Sequence, residues 1–562
     1  VPDRRIVDPV LESPRDGALI RSVPRACTTM SKEEPTLRIQ LITPKNPPSF
    51  WTFDSILPVL GVDCIFPNLS MPTVAGLTPP GHDVVLCDEN LDPVPVDLDV
   101  DVVGLTGCPI HKERIVELAR ELRARGRLVV IGGPYASLLP DEAATIADVV
   151  FVGEAEETWP RFLDDLATGT PAARYEAATK PDLADAPMPR FDLIDARRFH
   201  AMTVQFSRGC PFRCEFCDII VVYGRKPRSK AVDRLLAEVE ACLAAGARQV
   251  FIVDDNFAGN KRVAREVLTA LADWGRERGY PIDFNAELSL DVADDAELLR
   301  LLREANFTTV FVGIESPNAD ALAEAKKTQN TRGDITASVR RFHEHGIQVQ
   351  AGMIVGFDAD TPRIFEQQAQ FAQLARIPIV MAGMLQAIER TPLFDRVAAE
   401  GRLLSPSTGD QFNHPNIVPA NMTTGELYDG YRQLLSDLYD WDAYEERAVG
   451  FLLERGERMR SSRRVSRRDL RALWGIAGLF VGRDGLRRAR FSWCFLARII
   501  RHRPGATREA LSFIVMHKAM YDYTQHVLAT LRPPDATPRH PATAPITVSL
   551  REPAVTAVRL AR

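Results

Sequence analysis

Short β-rich apolar runs alternate with amphipathic stretches along most of this 562-residue chain. Leu37 to Thr43, Asp83 to Cys87, Val102 to Thr106, Leu128 to Gly132 and Asp148 to Val152 read as buried parallel strands. Between two of them, Ile115, Leu118, Ala119 and Leu122 recur at helical spacing inside Ile110 to Arg125. The alternation predicts a doubly wound α/β domain over residues 37–170. Residues 1–36 carry prolines, arginines and acids without periodicity and predict a loose arm.

An Ala-, Asp- and Pro-rich linker over 171–200 leads into a second α/β region, 201–422. Its strands are predicted at Thr203 to Phe206, Gln249 to Val253, Asp283 to Ala286, Thr309 to Gly313, Gln348 to Val355 and Ile379 to Met384. Helices fill the gaps at Lys230 to Ala245, Arg262 to Arg278, Asp295 to Ala305, Asp334 to His345 and Thr361 to Ala375. Six strands alternating with helices fit a partial (β/α)6 barrel, whose chemistry sits at the C-terminal strand ends. From Thr423 the period turns helical, with helices expected at Gly425 to Asp440, Tyr444 to Arg458, Arg468 to Phe480, Arg490 to Ile500 and Arg508 to Leu531. This makes 423–532 a helical C-terminal domain. Residues 533–562, rich in Pro, Ala, Thr and Arg, predict a disordered tail.

Composition changes the picture in two places. The net charge of −6 argues against a general nucleic-acid binder, yet Arg455 to Arg503 holds fifteen arginines against three acids. Nine cysteines, a clustered trio and several isolated in apolar runs (Cys87, Cys108, Cys494), suit a reducing cytoplasm and not a disulfide framework. No apolar run of about eighteen residues predicts a spanning helix, and no h-region predicts a signal peptide. The expected location is the cytoplasm.

The chemistry concentrates in Ser207-Arg-Gly-Cys-Pro-Phe-Arg-Cys-Glu-Phe-Cys-Asp218. Cys210, Cys214 and Cys217 stand in CxxxCxxC spacing, and three thiolates on a cubane [4Fe-4S] cluster leave one iron open. Zinc would need a fourth ligand, and His200 and Cys242 form no paired motif with the trio. With the aromatic Phe216 before the last cysteine, the run resembles the signature of the radical S-adenosylmethionine superfamily. That resemblance implies that S-adenosylmethionine chelates the open iron and is cleaved to a 5′-deoxyadenosyl radical.

Further motifs follow in the superfamily's order. Asp254, Asp255 and Asn256, ending the second barrel strand, suit the cationic ammonium of S-adenosylmethionine; a helix N-cap would also favour Asp255 or Asn256. Glu287 and Ser289, then Glu315 and Ser316, end the next two strands, and the resemblance assigns them to the ribose hydroxyls and the methionine head group. In Gly352-Met-Ile-Val-Gly-Phe357, Gly356 is expected to give room for the adenine.

A doubly wound domain directly before such a barrel resembles the cobalamin-binding domain of the cobalamin-dependent branch. Thr106 ends a strand where that family threads the nucleotide tail, and Gly132-Gly133 matches its glycine pair. The DxHxxG motif that gives cobalt a histidine is absent, and His111 reads as structural. A scaffold that no longer binds cobalamin is one alternative. A methylthiotransferase with Cys64, Cys87 and Cys108 as a second cluster set is another.

The runs Ser49-Phe-Trp-Thr-Phe53, Gly224-Arg-Lys-Pro-Arg228, Asp254-Asp-Asn-Phe-Ala-Gly-Asn-Lys261 and Ile354-Val-Gly-Phe-Asp-Ala-Asp-Thr-Pro362 extend the resemblance to the group containing hopanoid C-2 methylases. It implies methylation of an unactivated carbon of a lipid or polycyclic substrate, with one S-adenosylmethionine as methyl donor through cobalamin and a second as radical source. An electron donor such as flavodoxin or ferredoxin is implied as partner. The alternative function is radical cyclisation, coupling or rearrangement, with cobalamin non-methylating or absent. In the C-terminal domain, Trp474, Leu479, Phe480, Phe491, Trp493, Phe495 and Leu496 interleave with Arg467, Arg468, Arg471, Arg487, Arg488, Arg490 and Arg498. That pattern suits peripheral contact with an anionic membrane face, or a helical cap packed on the barrel with solvated arginines.

Overall fold

The computed structural model describes residues 36–184, 186–459 and 467–533, so the arm and tail expected at the two ends lie outside the described residues, save Thr36 and Pro533. Six parallel strands form the first sheet: β1 Arg38–Thr43, β2 Asp83–Asp88, β3 Val102–Thr106, β4 Leu128–Gly132, β5 Val149–Val152 and β6 Arg174–Glu176. Their order is β2-β1-β3-β4-β5-β6. Strand residues alternate between two cores. Ile42, Val103, Leu105, Ile131 and Val150 face one, while Ile39, Leu41, Val102, Val130 and Phe151 face the other. Both faces are covered, which is why the strands read as continuous apolar runs. β6 lies inside the stretch expected as linker; three residues pairing on the sheet edge give too short a pattern to detect in sequence.

The second sheet comprises β7 Met202–Val204, β10 Gln249–Ile252, β11 Asp283–Leu288, β12 Phe307–Glu315, β13 Gln348–Val355 and β14 Ile379–Met384, all parallel, in the order β7-β10-β11-β12-β13-β14. Between β7 and β10, β8 Ser207–Arg208 and β9 Arg228–Ser229 pair antiparallel and close the base of the cysteine loop. β7 ends before the predicted Phe206, because the Phe206 and Ser207 amides turn to the Asp254 carboxylate instead of continuing the ladder.

Along β10 and β11 burial alternates. Val250, Ile252, Phe284, Ala286 and Leu288 face the outer helices, and Phe251, Asn285 and Glu287 face the lumen.

An open barrel leaves β14 as a bare edge, and such an edge needs cover. The helix Thr424–Tyr439 lies against it. Tyr439 Oη accepts from Val380 N at 3.0 Å and donates to the Val380 carbonyl, and Tyr431 Oη donates to the Ala382 carbonyl at 2.9 Å. The helices Trp441–Glu454, Arg467–Phe480, Leu486–His502 and Thr507–Thr530 follow. No helix among the described residues is long and apolar enough to cross a membrane.

One buried ion network joins the two sheets. Glu154, just after β5 and 1% exposed at its side chain, pairs with Arg208 and Arg228 of the small hairpin, each at 2.8 Å. Arg208 also lies 2.7 Å from Glu156. Removing the shared acid leaves the buried Arg228 guanidinium without a carboxylate and Arg208 with Glu156 alone. Glu154→Ala should therefore cost about 3–5 kcal/mol, read as a lowered urea midpoint, whereas Asp192→Ala, breaking the exposed pair with Arg190, should cost less than about 1 kcal/mol.

Candidate active site

The cysteine loop is fixed by its backbone before any cofactor is considered. Gly209 has φ +93, and a Cβ there would meet the Gly224 carbonyl oxygen at 2.9 Å. Cys210 N donates to that same carbonyl at 3.2 Å, Cys217 N to the Cys214 carbonyl at 3.3 Å and Glu215 N to the Ala325 carbonyl at 3.1 Å. From the far side, Glu215 pairs with Arg396 at 2.7 Å.

The three thiols are coupled in charge, and burial pushes those of Cys210 and Cys217 up, Cys217 the more strongly. Two amides point at sulfur. Asn256 Nδ2 donates to Cys210 Sγ at 3.9 Å and Gln329 Nε2 to Cys214 Sγ at 3.6 Å. Amide donors aimed at thiolates are what a cluster's sulfurs use to set potential. No three described His, Cys, Asp or Glu side chains converge on one point as ligands of a single ion do; a cubane instead takes its thiolates at separate corners.

The acids expected around S-adenosylmethionine divide. Asp254 does not face the lumen: its carboxylate accepts from Phe206 N (2.7 Å), Ser207 N (2.8 Å) and Ser207 Oγ (2.6 Å). It clamps the cysteine loop to β10, and burial pushes it up to about 7 against the pull of those donors. Asp255 accepts from Gly209 N at 2.7 Å and lines the main cavity; burial pushes it up to about 6. Glu287 faces the lumen, raised to about 8 by burial and then by Asp255 and Asp254. Neither Asp255 nor Asn256 caps the next helix, whose cap is Asn260.

Glu315 holds a positive φ of 65° and pairs with Lys327 at 2.5 Å. Burial opposes that lysine's charge, but Glu315 and the Cys214 and Cys217 thiols outweigh it and raise its pKa. Lys327 Nζ also lies 6.0 Å from the Phe216 ring centroid, and Phe216 packs on Phe357. Ser289 accepts from Asn256 Nδ2 at 3.3 Å and donates to Asp291 at 2.5 Å. Ser316 is fully buried and accepts from Asn318 N, so it braces its own turn. Gly356 differs from expectation. Its φ is +99 and the missing Cβ would face Leu427 at 3.4 Å, so the glycine serves a left-handed turn held by Asp360 and the packing of the C-terminal helix.

A cavity of about 420 Å³ opens between the C-terminal ends of both sheets. Thr106, Gly132, Gly133 and Glu154 line it from the first sheet, and Gln205, Arg208, Phe251 and Asp255 from the barrel. It lies beside the β1/β3 switch in strand order, where open α/β sheets take ligands. Gly133 has φ +86, and a Cβ would meet Thr106 Oγ1 at 2.6 Å. His111 stays structural: Nδ1 accepts from Cys108 N at 3.1 Å and Nε2 bonds Asn46 at 2.8 Å. Cys87 packs in the core of the first sheet, Cys64 bridges to Phe199, and Cys108 begins the turn that holds His111. Sequence reasoning missed Lys327, Gln329 and the Glu154 network, which reach the site from loops without periodic pattern.

Residues 204–372 match the radical SAM superfamily, and residues 391–532 match a domain of unknown function (DUF4070). The chain is 37% identical over 501 residues to an uncharacterized methyltransferase of Synechocystis sp., covering 87% of this chain and 92% of the relative. It is 34% identical over 375 residues to the hopanoid C-2 methylase of Rhodopseudomonas palustris, covering 65% and 71%. Among solved structures, the cobalamin-dependent S-adenosylmethionine radical enzyme OxsB, with aqua-cobalamin and S-adenosylmethionine bound, shares the fold at a TM-score of 0.58 and 14% identity, over 88% of this chain and 80% of that one. The protein belongs to the radical S-adenosylmethionine superfamily of enzymes, in the methyltransferase group that includes the hopanoid C-2 methylase. A four-iron cluster and S-adenosylmethionine come with that membership.

Anaerobic reconstitution should load one cluster, and Cys210→Ala, Cys214→Ala or Cys217→Ala should each abolish its absorbance and iron. Cys242, buried on the helix Val232–Ala244, should tolerate Ala with full iron content. Retention of the cluster in Cys214→Ala but not in Cys242→Ala would overturn the ligand assignment.

Proposed function

We propose that the protein is a cobalamin-dependent radical S-adenosylmethionine C-methyltransferase acting on an unactivated carbon of a lipid or polycyclic substrate. The observation that carries this reading is the cavity shared by the first sheet and the cluster-loop end of the barrel. Its first-sheet wall is strand-end backbone around Gly132 and Gly133, open to a large flat ligand, and its barrel wall runs to Asp255 at the cysteine loop. The kinship with a hopanoid C-2 methylase supports both the reaction and a lipid substrate.

Cys210, Cys214 and Cys217 would hold the cluster, and Thr106, Gly132 and Gly133 would border cobalamin. When bound, these groups supply radical generation and a transferable methyl. The chain's own part is placement. Asp255, Glu287 and Glu315 present carboxylates to the lumen end where a sulfonium cation is to be held, and Lys327 offers a cation beside them. Asn256 and Gln329 direct amide hydrogens at the thiolates, and Asp254 holds their loop. Phe251, its ring tilted against Phe66 at 5.2 Å, gives the cavity an apolar wall that keeps water from reactive carbon. A flavodoxin or ferredoxin would deliver the electron, and peripheral contact with the inner face of a membrane would bring a lipid substrate within reach.

Gly132 is the informative position for the cofactor. It has an extended backbone that any residue adopts, and a Cβ there meets nothing closer than Phe151 Cβ at 3.4 Å. Gly132→Leu should fill the cavity without strain, lowering cobalamin occupancy while iron content stays constant. Equal cobalamin in wild type and variant would reject this cavity as its site.

Turnover on the true substrate should release 5′-deoxyadenosine and S-adenosylhomocysteine in near-equal amounts, because each methyl installed consumes one radical and one methyl donor. Product masses from a host lacking the gene, compared with the complemented host, would identify that substrate. Sustained 5′-deoxyadenosine without S-adenosylhomocysteine would favour cyclisation or rearrangement instead.

A further inference from the structure

Large apolar side chains are left exposed in one place. Apart from Leu374, every strongly exposed one among the described residues lies between Leu470 and Ile500. On the helix Arg467–Phe480, Leu470, Leu473 and Trp474 fall at i, i+3 and i+4 and so share a face, and exposed Val481 follows in the turn after it. On the helix Leu486–His502, Leu486, Trp493 and Ile500 recur every seven residues, again on one face. Trp474 is 80% exposed and Leu486 85%.

The opposite faces carry the packing. Leu479, Phe491, Phe495 and Ile499 are buried in the main core. Trp493 ties the two helices together, its ring 5.0 Å from Phe480 and its Nε1 donating to the Phe480 carbonyl at 3.0 Å. The two outward faces therefore adjoin.

Charge follows the same division. Arg488 is buried, paired with Asp522 at 2.8 Å, and Arg487 lies over the Trp441 ring; both belong to the fold. Arg471, Arg483, Arg490 and Arg501 are exposed and make no ion pair among the described residues. The two acids within 467–503 turn elsewhere: Asp469 pairs with Arg248 and Asp484 with Lys518.

We propose that this face docks on an anionic lipid surface. Exposed Trp, Leu, Val and Ile flanked by unneutralised arginines form the pattern of an interfacial helix pair, in which the apolar chains enter the acyl boundary and the cations meet lipid phosphates. Nucleic acid fits less well, since five exposed aliphatic side chains have no role against a phosphate backbone and the whole chain is net negative. Self-cover by a terminal segment fits less well too. Residues 1–35 carry equal numbers of acids and bases, and 534–562 carry four arginines against two acids, so neither complements an arginine-rich face.

The position suits delivery to the site. The helix Arg467–Phe480 seats Gly475 on the backbone of Val59 in the short helix Leu57–Leu60. A few residues earlier, Trp51 packs 4.7 Å from Phe311 of β12. A lipid-docked face thus adjoins the segment that leads to the barrel.

Docking rests on the lipid-substrate reading above, but vesicle binding is measured without methyl transfer, so either can fail alone. The test is co-flotation of the full-length, cluster-loaded protein with phosphatidylcholine vesicles, with and without roughly one-third phosphatidylglycerol. Binding is expected only to the anionic vesicles and should weaken as salt screens charges beyond about 8 Å. The Trp474→Ser, Leu486→Ser double variant should lose at least about tenfold in binding. The Arg483→Glu, Arg490→Glu, Arg501→Glu variant should lose the phosphatidylglycerol preference. Both should keep iron content and 5′-deoxyadenosine formation, which excludes misfolding; if the double variant misfolds, Trp474→Ser alone serves. Binding indifferent to both variants, no binding to either vesicle, or stronger retention on RNA than on anionic vesicles would each overturn the proposal.

Discussion

Everything at the centre of this molecule depends on one buried acid, Glu154, held between Arg208 and Arg228. The acid comes from the end of β5 in the first sheet, and the arginines flank the cysteine loop. A buried charge left without a partner is expensive, so the network is satisfied only when the two sheets keep one relative placement. That placement creates the cavity between their C-terminal ends and brings Asp255 and Arg208 across from Gly132 and Gly133. Hydrophobic packing alone would not specify it so narrowly, because apolar contacts tolerate small slides that a bidentate ion network does not.

The same logic explains why neighbouring acids have different duties. Asp254 and Asp255 are adjacent in the loop that follows β10, and their carboxylates take different backbone partners. The inward-bonded Asp254 spends its acceptors on the loop, and Asp255 is left at the cavity wall. Glu287 has no cation as its leading neighbour, and burial, then Asp255 and Asp254, push its pKa up. Glu315 meets Lys327 directly. A cationic cosubstrate entering the lumen would favour the ionised form of Glu287, so binding and proton release are coupled there in the reading proposed above.

Much of the fold was legible in the sequence because strands buried on both faces leave unmistakable apolar runs. β3, β4, β13 and β14 begin and end where the pattern predicts. Errors arose where a side chain captured the backbone, as Asp254 does after β7, or where pairing is too brief to leave a pattern, as in β6. The cysteine trio was legible from spacing, while its amide and lysine neighbours were not. Gln329 and Lys327 come from a loop more than a hundred residues away, and nothing local in Lys327-Thr-Gln-Asn330 marks it as adjacent to sulfur. Gly356 shows the opposite failure. Its glycine was recognised, but the left-handed backbone at φ +99 is what requires it, with Leu427 at ordinary contact distance.

The C-terminal helices carry two physical demands that the sequence superimposes. An open six-stranded barrel exposes the edge of β14, and Tyr431 and Tyr439 meet that need by placing hydroxyls on Val380 and Ala382. Helices recruited to cover an edge have an outer face that ordinarily turns polar. On the helices that follow, Trp474, Leu486 and Trp493 keep an outer face apolar while nearby arginines stay exposed, an arrangement that costs solubility without adding to the core. Aromatic residues in this segment therefore cannot be read as a single class. Phe491 and Phe495 stabilise the fold, Trp474 does not, and only burial separates them, because both kinds sit beside arginine at the same helical spacing.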